Sequence, residues 1–148
     1  MSEQSPQSAQ SATMFNIDAY IKEKAEVKKT EYFEKHDPDY AQRRLEVYLD
    51  DIEDLRDTYN DEYQTFVKTL DTAIKNNQET CVIKSKGNRP SDRQSKWGFV
   101  TVQAFNNFVL MLTEKGYKYD IRSETRQKTE CGGEKICLTD KYITITLK

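Results

Sequence analysis

The chain has 148 residues, a formal net charge of −2, and is 36% hydrophobic and 32% charged. That length suits one domain, or one small domain carrying a long helical extension, and its share of Tyr, Phe, Ile, Leu and Val excludes a wholly disordered chain. The small net charge hides a split: residues 31–79 hold 14 acidic against 6 basic side chains, and residues 84–128 hold 10 basic against 4 acidic, a pattern that speaks of partners rather than of fold.

Residues 1–13, MSEQSPQSAQSAT, are Ser- and Gln-rich, hold almost nothing that could be buried, and read as a disordered tail. Asn16 is an N-cap candidate, and Phe15 before it can staple onto Tyr20 one turn in. The helix it opens is expected to run to about residue 33, with Ile17, Tyr20, Ile21 and Ala25 on one face. Asp37-Pro38 is the clearest local signal: Asp can cap the orphan amides of a new helix, and Pro at the first helical position forfeits no hydrogen bond.

Beyond it, Ala41, Leu45, Tyr48, Leu49, Ile52, Leu55, Tyr59, Tyr63, Phe66, Val67, Leu70 and Ile74 recur at helical spacing, which predicts one long amphipathic helix ending at Asn76-Asn77. Thr58-Tyr59-Asn60-Asp61 is its weak point, where a kink or break is expected. The polar face carries Glu46, Asp50, Glu53, Asp54, Asp57 and Asp61 three or four residues apart.

From residue 80 the pattern changes. Thr80 to Lys84 predicts a short strand, and 85–95 a polar loop. Thr101 is expected to cap a third helix burying Val102, Phe105, Phe108, Val109 and Leu112, with Gly116 ending it in the left-handed conformation. Tyr117, Tyr119 and Ile121 alternate with Lys118, Asp120 and Arg122 as in a half-buried strand. Gly132-Gly133 marks a turn. Residues 136–138 and 142–147 are expected to form a second hairpin around Thr139-Asp140-Lys141, with Ile143, Ile145 and Leu147 on one face. The predicted class is α+β: an N-terminal helical hairpin or long-helix stalk (14–78), followed by a small antiparallel sheet packed on one helix (79–148).

Three Cys (Cys81, Cys131, Cys137) are too few and too oddly spaced for a secreted disulfide scaffold. No run approaches the roughly 18–20 apolar residues that span a bilayer, and the N-terminus lacks the basic and apolar regions of a secretory signal. An intracellular protein of cytoplasm or nucleus, without membrane contact, is expected.

Chemistry-bearing motifs are absent: no G-x-S-x-G elbow, no Cys–His signature, no phosphate-binding Gly-rich loop. The acidic face lacks the Glu-x-x-His pairs of bundle metal sites, and the Cys spacing lacks the close pairs of zinc sites, so neither a metal nor a cofactor is expected. Leu45, Tyr48, Ile52, Leu55, Tyr59, Tyr63, Phe66 and Leu70 follow a near-heptad seam too long for the first helix to cover, and these are the expected partner-binding residues. Lys84, Lys86, Arg89, Arg93 and Lys96, with Trp97 directly after, form a basic loop suited to an anion or a nucleic-acid backbone.

The block LTEKGYKYDIRSE followed by DKYITITLK resembles, in its helix–glycine–strand–hairpin rhythm, many small proteins, proteins of large DNA viruses among them. The expected function is a non-enzymatic protein-interaction or assembly module, a homo-oligomer or partner of another protein, with a viral structural or accessory role as one version. The alternatives are a nucleic-acid-binding accessory protein using residues 84–97, and a metal-dependent enzyme acting through the acidic face.

Overall fold

The computed structural model describes residues 14–85, 96–129 and 131–148, except for the side chain of Lys96. Among the described residues, three helices and a three-stranded antiparallel sheet follow in the order α1 (Ile17–Lys35), α2 (Pro38–Lys75), β1 (Thr80–Lys84), α3 (Lys96–Glu114), β2 (Lys118–Thr129) and β3 (Lys135–Thr146). No helix among the described residues is long and apolar enough to cross a membrane.

Local chemistry sets most boundaries. The Asn16 side chain accepts the Ala19 amide at 3.0 Å, and the Asp37 side chain accepts the Tyr40 amide at 3.2 Å ahead of Pro38. The Phe15 ring lies 5.5 Å from Tyr20, as a staple requires. At the other end of the helical layer Gly116 takes φ +79°, and the Tyr117 amide reaches back to the Leu112 carbonyl, the hydrogen bond of a left-handed helix stop.

α2 runs unbroken for 38 residues, roughly 57 Å at the α-helical rise. The expected break at residues 58–61 does not occur. Thr58 and Thr65 donate their hydroxyls to the carbonyls of Asp54 and Asp61, one turn back, so these side chains do not compete for the backbone amides that would open the helix. Tyr59 is buried and anchors the same turn in the core.

α1 and α2 form an antiparallel hairpin over the N-terminal half of α2, and α3 packs on its C-terminal half. The sheet, ordered β1-β3-β2, covers α3 and the end of α2. The core is continuous along α2. Phe66, Leu70 and Ala73 meet Cys81, Ile83, Phe105, Phe108, Leu112, Ile143 and Ile145. Ile52, Leu55 and Tyr59 meet Ile17, Ile21, Val100 and Ala104. Ala41 and Leu45 meet Tyr32. Tyr63 bridges the first two groups, while Tyr48 and Leu49 bridge the last two. The core therefore crosses the 78/79 boundary read from the sequence.

Three local expectations are corrected. α3 begins at Lys96, not after Thr101: the Thr101 hydroxyl donates to the Gly98 carbonyl inside the helix and caps nothing, and Val100 and Ala104 become core residues. There is no hairpin around residues 139–141. β3 is one strand of twelve residues, and its hairpin partner is β2, joined across a turn in which Gly132 and Gly133 both take positive φ. Cys81 and Cys137 both read in the sequence as small apolar strand residues, but only Cys81 is buried and Cys137 is exposed.

Candidate functional site

The seam expected to bind a partner is largely the chain's own core. Leu45, Ile52, Leu55, Tyr59, Phe66 and Leu70 are buried, and only Tyr48 and Tyr63 are half-buried. α1 covers the N-terminal half of the stripe, and α3 with the sheet covers the rest. Apolar periodicity identifies the face that is buried, not what buries it, and α3 with the sheet supplies the cover that α1 is too short to give.

What the helical hairpin does present is a groove along the α1–α2 seam. Its upper part, about 560 Å³, is lined by Tyr32, Arg43, Arg44, Val47, Tyr48 and Asp51. Its lower part, about 360 Å³, has Tyr20, Lys24, Val27, Lys28 and Glu31 on α1 facing Tyr48, Ile52 and Leu55 on α2, with Glu31 lying 3.7 Å from Lys28. Tyr48 belongs to both. Val47 is 71% exposed and Val27 57%, the two most exposed large apolar side chains among the described residues.

Tyrosines and cations alternate along this groove. Lys24 lies 5.4 Å from the Tyr20 ring centroid, and Lys28 lies 5.6 Å from both Tyr32 and Tyr48. Arg44 lies 5.0 Å from Tyr32 and 5.6 Å from Tyr40, whose hydroxyl accepts from its Nη1 at 3.0 Å. That hydrogen bond raises the already high pKa of Arg44. Burial, the larger effect, and the neighbouring Tyr20, Tyr32 and Glu31 raise the pKa of the Tyr48 hydroxyl, which therefore keeps its proton at neutral pH. The cations are held against flat aromatic faces.

The sequence signal was available: Tyr20-Lys24-Lys28-Tyr32 and Tyr40-Arg44-Tyr48 each step by four residues, one turn of one helix face. Only the pairing of the two helices turns these ladders into one groove.

A second polar cluster lies on the sheet. Asp140 is 2% exposed, directly opposite Glu124 on β2. Two facing carboxylates repel. Arg126 answers by donating Nε to Asp140 Oδ2 at 2.8 Å, Lys84 approaches the same oxygen at 3.9 Å, and Arg122 lies 3.5 Å from Glu124. Cations from both flanking strands thus clamp β1 and β2 to β3, while Asp140 Oδ1 has no hydrogen-bond partner among the described residues.

Of the expected basic site, Lys86, Arg89, Arg93 and the side chain of Lys96 lie outside the described residues. Lys84 is committed to Asp140 and lies 5.9 Å from the Tyr142 ring; Trp97, in the first turn of α3, is exposed. On the acidic face Glu53 bonds Arg56, which also donates Nε to Asp18 at 2.7 Å and so pins the start of α1 to α2. No group of three or more His, Cys, Asp or Glu side chains among the described residues is placed to hold a metal ion.

The cysteines give a direct check on the packing. Burial raises the Cys81 thiol pKa, and the side chain is 3% exposed with its Sγ directed at the Thr69 carbonyl, whereas Cys131 and Cys137 are exposed. Titration of the native protein with an aromatic disulfide reagent should show two fast thiols and one that reacts only on unfolding. Three equally fast thiols would mean that β1 does not stay on α2.

No protein-family model, no curated protein and no solved structure matches the chain, and the functional reading therefore rests on this geometry.

Proposed function

We propose that the protein is a non-enzymatic interaction module that receives an acidic amphipathic segment of a partner protein in the α1–α2 groove. The observation that carries this reading is the ladder of tyrosines and cations lining the groove, flanked by the exposed Val27 and Val47. Tyrosine contributes ring area at low entropic cost and keeps its hydroxyl wet, and arginine pairs bidentately with carboxylates, the composition of binding hot spots. The two valines give an apolar helix face something to cover.

The complement is a helix with Leu or Phe on one face and Glu or Asp beside it. Its carboxylates would meet Lys24, Lys28, Arg43 and Arg44, and its apolar side chains would meet Val27, Val47 and Tyr48. The proposal keeps the partner-binding function expected from the sequence and moves it off the buried stripe. Of the eight residues first expected to bind, Tyr48, Ile52 and Leu55 line this groove.

The test is a titration of the labelled protein with a designed acidic amphipathic helical peptide and with its Lys-for-Glu counterpart. Saturable binding of the acidic peptide alone is expected. It should weaken about tenfold or more on Arg44→Glu or Val47→Asp, since each removes a contact at the groove centre. Equal binding of both peptides, or indifference to both substitutions, would overturn the proposal.

A further inference from the structure

The free edge of β2 is a regular template twelve residues long. All twelve residues pair with β3 in one unbroken register, from Lys118 opposite Thr146 to Thr129 opposite Lys135. On its other side no strand among the described residues pairs with it, and eleven of its twelve residues are exposed. The segment contains no Pro, no Gly and no bulge, so its charged side chains are what guards this edge against an unmatched strand. β1, by contrast, closes the opposite edge of the sheet with only five residues.

The charges on this edge follow a pattern. Residues two apart share a face. Tyr119 packs on the core and Ile121 lines a cleft with Phe105, so the odd-numbered side chains face the helices. The opposite face of β2 carries Lys118, Asp120, Arg122, Glu124, Arg126 and Lys128 in that order.

We propose that two copies of the chain associate by antiparallel pairing of their β2 edges about Ser123, joining two three-stranded sheets into one of six strands. Antiparallel pairing across a two-fold axis normal to the sheet sets residue i opposite residue 246 − i when Ser123 faces itself. Arg122 then meets Glu124 of the second copy, and Asp120 meets Arg126, each twice by symmetry. Only Lys118 and Lys128, at the fringe, meet a like charge.

Shifting the centre to residue 122 sets Arg122 against itself and Asp120 against Glu124. A centre at 124 sets Glu124 against itself and Arg122 against Arg126. Both registers stack like charges where they repel most. A centre at Ile121 is also charge-complementary, but it pairs residues 118–124 only, whereas the Ser123 register engages residues 118–128 and so satisfies more of the orphan backbone groups.

Both cations also have partners in their own chain: Arg126 gives Nε to Asp140, and Arg122 is stacked on Tyr142 at 4.6 Å and lies 3.5 Å from Glu124, so across the seam each would share its guanidinium with a second carboxylate. The isologous arrangement closes at two copies, so it yields a dimer and not a filament. It uses a surface remote in sequence from the α1–α2 groove, and the two proposals stand or fall separately.

Light scattering coupled to size exclusion, on the full chain across the micromolar range at low salt, should show a monomer–dimer equilibrium. Arg122→Glu should weaken it about tenfold or more, because two attractive pairs per dimer become repulsive. Combining Arg122→Glu with Glu124→Arg should restore it in the Ser123 register, where the two positions oppose each other, but not in the Ile121 register. In a Cys131→Ser, Cys137→Ser background, Ser123→Cys should give a covalent dimer with a short thiol crosslinker, since opposed β-carbons lie about 4.5–5.5 Å apart. A monomer at every concentration overturns the proposal, and so does a dimer indifferent to Arg122→Glu. Failure of both the charge swap and the Ser123 crosslink in a protein that still dimerises overturns the stated register. Val47→Asp, in the groove, should leave the dimer unchanged.

Discussion

Leu55→Asp is expected to unfold the protein rather than to free a docking surface. Leu55 is 0% exposed and lies among Ile17, Ile21, Ile52, Tyr59, Val100 and Ala104, where α1, α2 and α3 converge. Removing a buried leucine side chain alone costs about 2–5 kcal/mol. A carboxylate there would have no cation within the cluster, so the charge must be expelled or protonated, at a further cost of several kcal/mol. The sum is comparable with the whole stability of an ordinary domain, about 5–15 kcal/mol. Thermal melting followed by circular dichroism should show the cooperative transition lost or brought near room temperature. Val47→Asp is the matched control: same helix, same new charge, but a side chain 71% exposed, and its effect on stability should fall within about 0.5 kcal/mol. A folded Leu55→Asp variant with a native melting curve would refute the packing of the three helices described above.

That contrast shows where sequence reading succeeds and where it stops. Signals that act within one turn were legible: the caps at Asn16 and Asp37, the left-handed stop at Gly116, the limits of β1. The caps depend on a side chain reaching its own neighbours' backbone, and the stop on a glycine free to take positive φ. The errors came where a local signal had two outlets. Thr101 could cap a helix or bond back inside one, and the Gly98 carbonyl, one turn earlier, decided for the second. Thr139-Asp140-Lys141 has turn chemistry, but Gly132 and Gly133 offered the cheaper positive-φ turn, and Arg126 and Lys84 made Asp140 tolerable in a strand. The Thr58-Tyr59-Asn60-Asp61 stretch of α2 looked fragile by propensity, yet burial of Tyr59 within it and of Phe66 two turns on holds it.

The candidate site was legible in half. Tyrosines and cations at four-residue steps can be counted on each helix, but their meeting depends on how α1 docks, and α1 shows little of this in its own pattern. It buries only Ile17 and Ile21 at one end and Tyr32 at the other. Its middle turns carry Lys24, Val27 and Lys28 at the groove instead. The apolar pattern of α1, which blurs in the sequence around Glu26–Lys29, is thus the mark of a helix held at its ends, with its centre left to line a cleft. The β2 edge was legible only after β3 proved continuous, because a strand paired along all twelve residues on one side makes the bareness of the other side matter.

The second large effect is expected at Asn107, which holds the segment around Phe15 to the helical core. Its side chain is 1% exposed. Oδ1 accepts the Phe15 amide at 2.9 Å, while Nδ2 donates to the Phe15 carbonyl at 2.8 Å and to the Tyr59 hydroxyl. The amide thus pairs with the backbone of Phe15 as a neighbouring strand would. It fixes a ring that meets Tyr20 at 5.5 Å, Phe99 at 5.6 Å and Tyr59 at 6.0 Å. Asn107→Ala leaves a partly buried amide, a carbonyl and a hydroxyl without partners and opens a gap between α2 and α3, a loss of about 2–4 kcal/mol. Tyr59→Phe removes one of these bonds while Nδ2 keeps the Phe15 carbonyl, and should cost about 1 kcal/mol. The two substitutions share a partner, so their combination should cost less than the sum of the singles. Denaturant unfolding of the four proteins in that cycle measures the coupling, and hydrogen exchange locates it. In Asn107→Ala the Phe15 amide should exchange much faster, while amides in the middle of α3 lose only the protection that follows from lower global stability. Additive costs with an unchanged Phe15 amide would show that the aromatic contacts alone hold the segment.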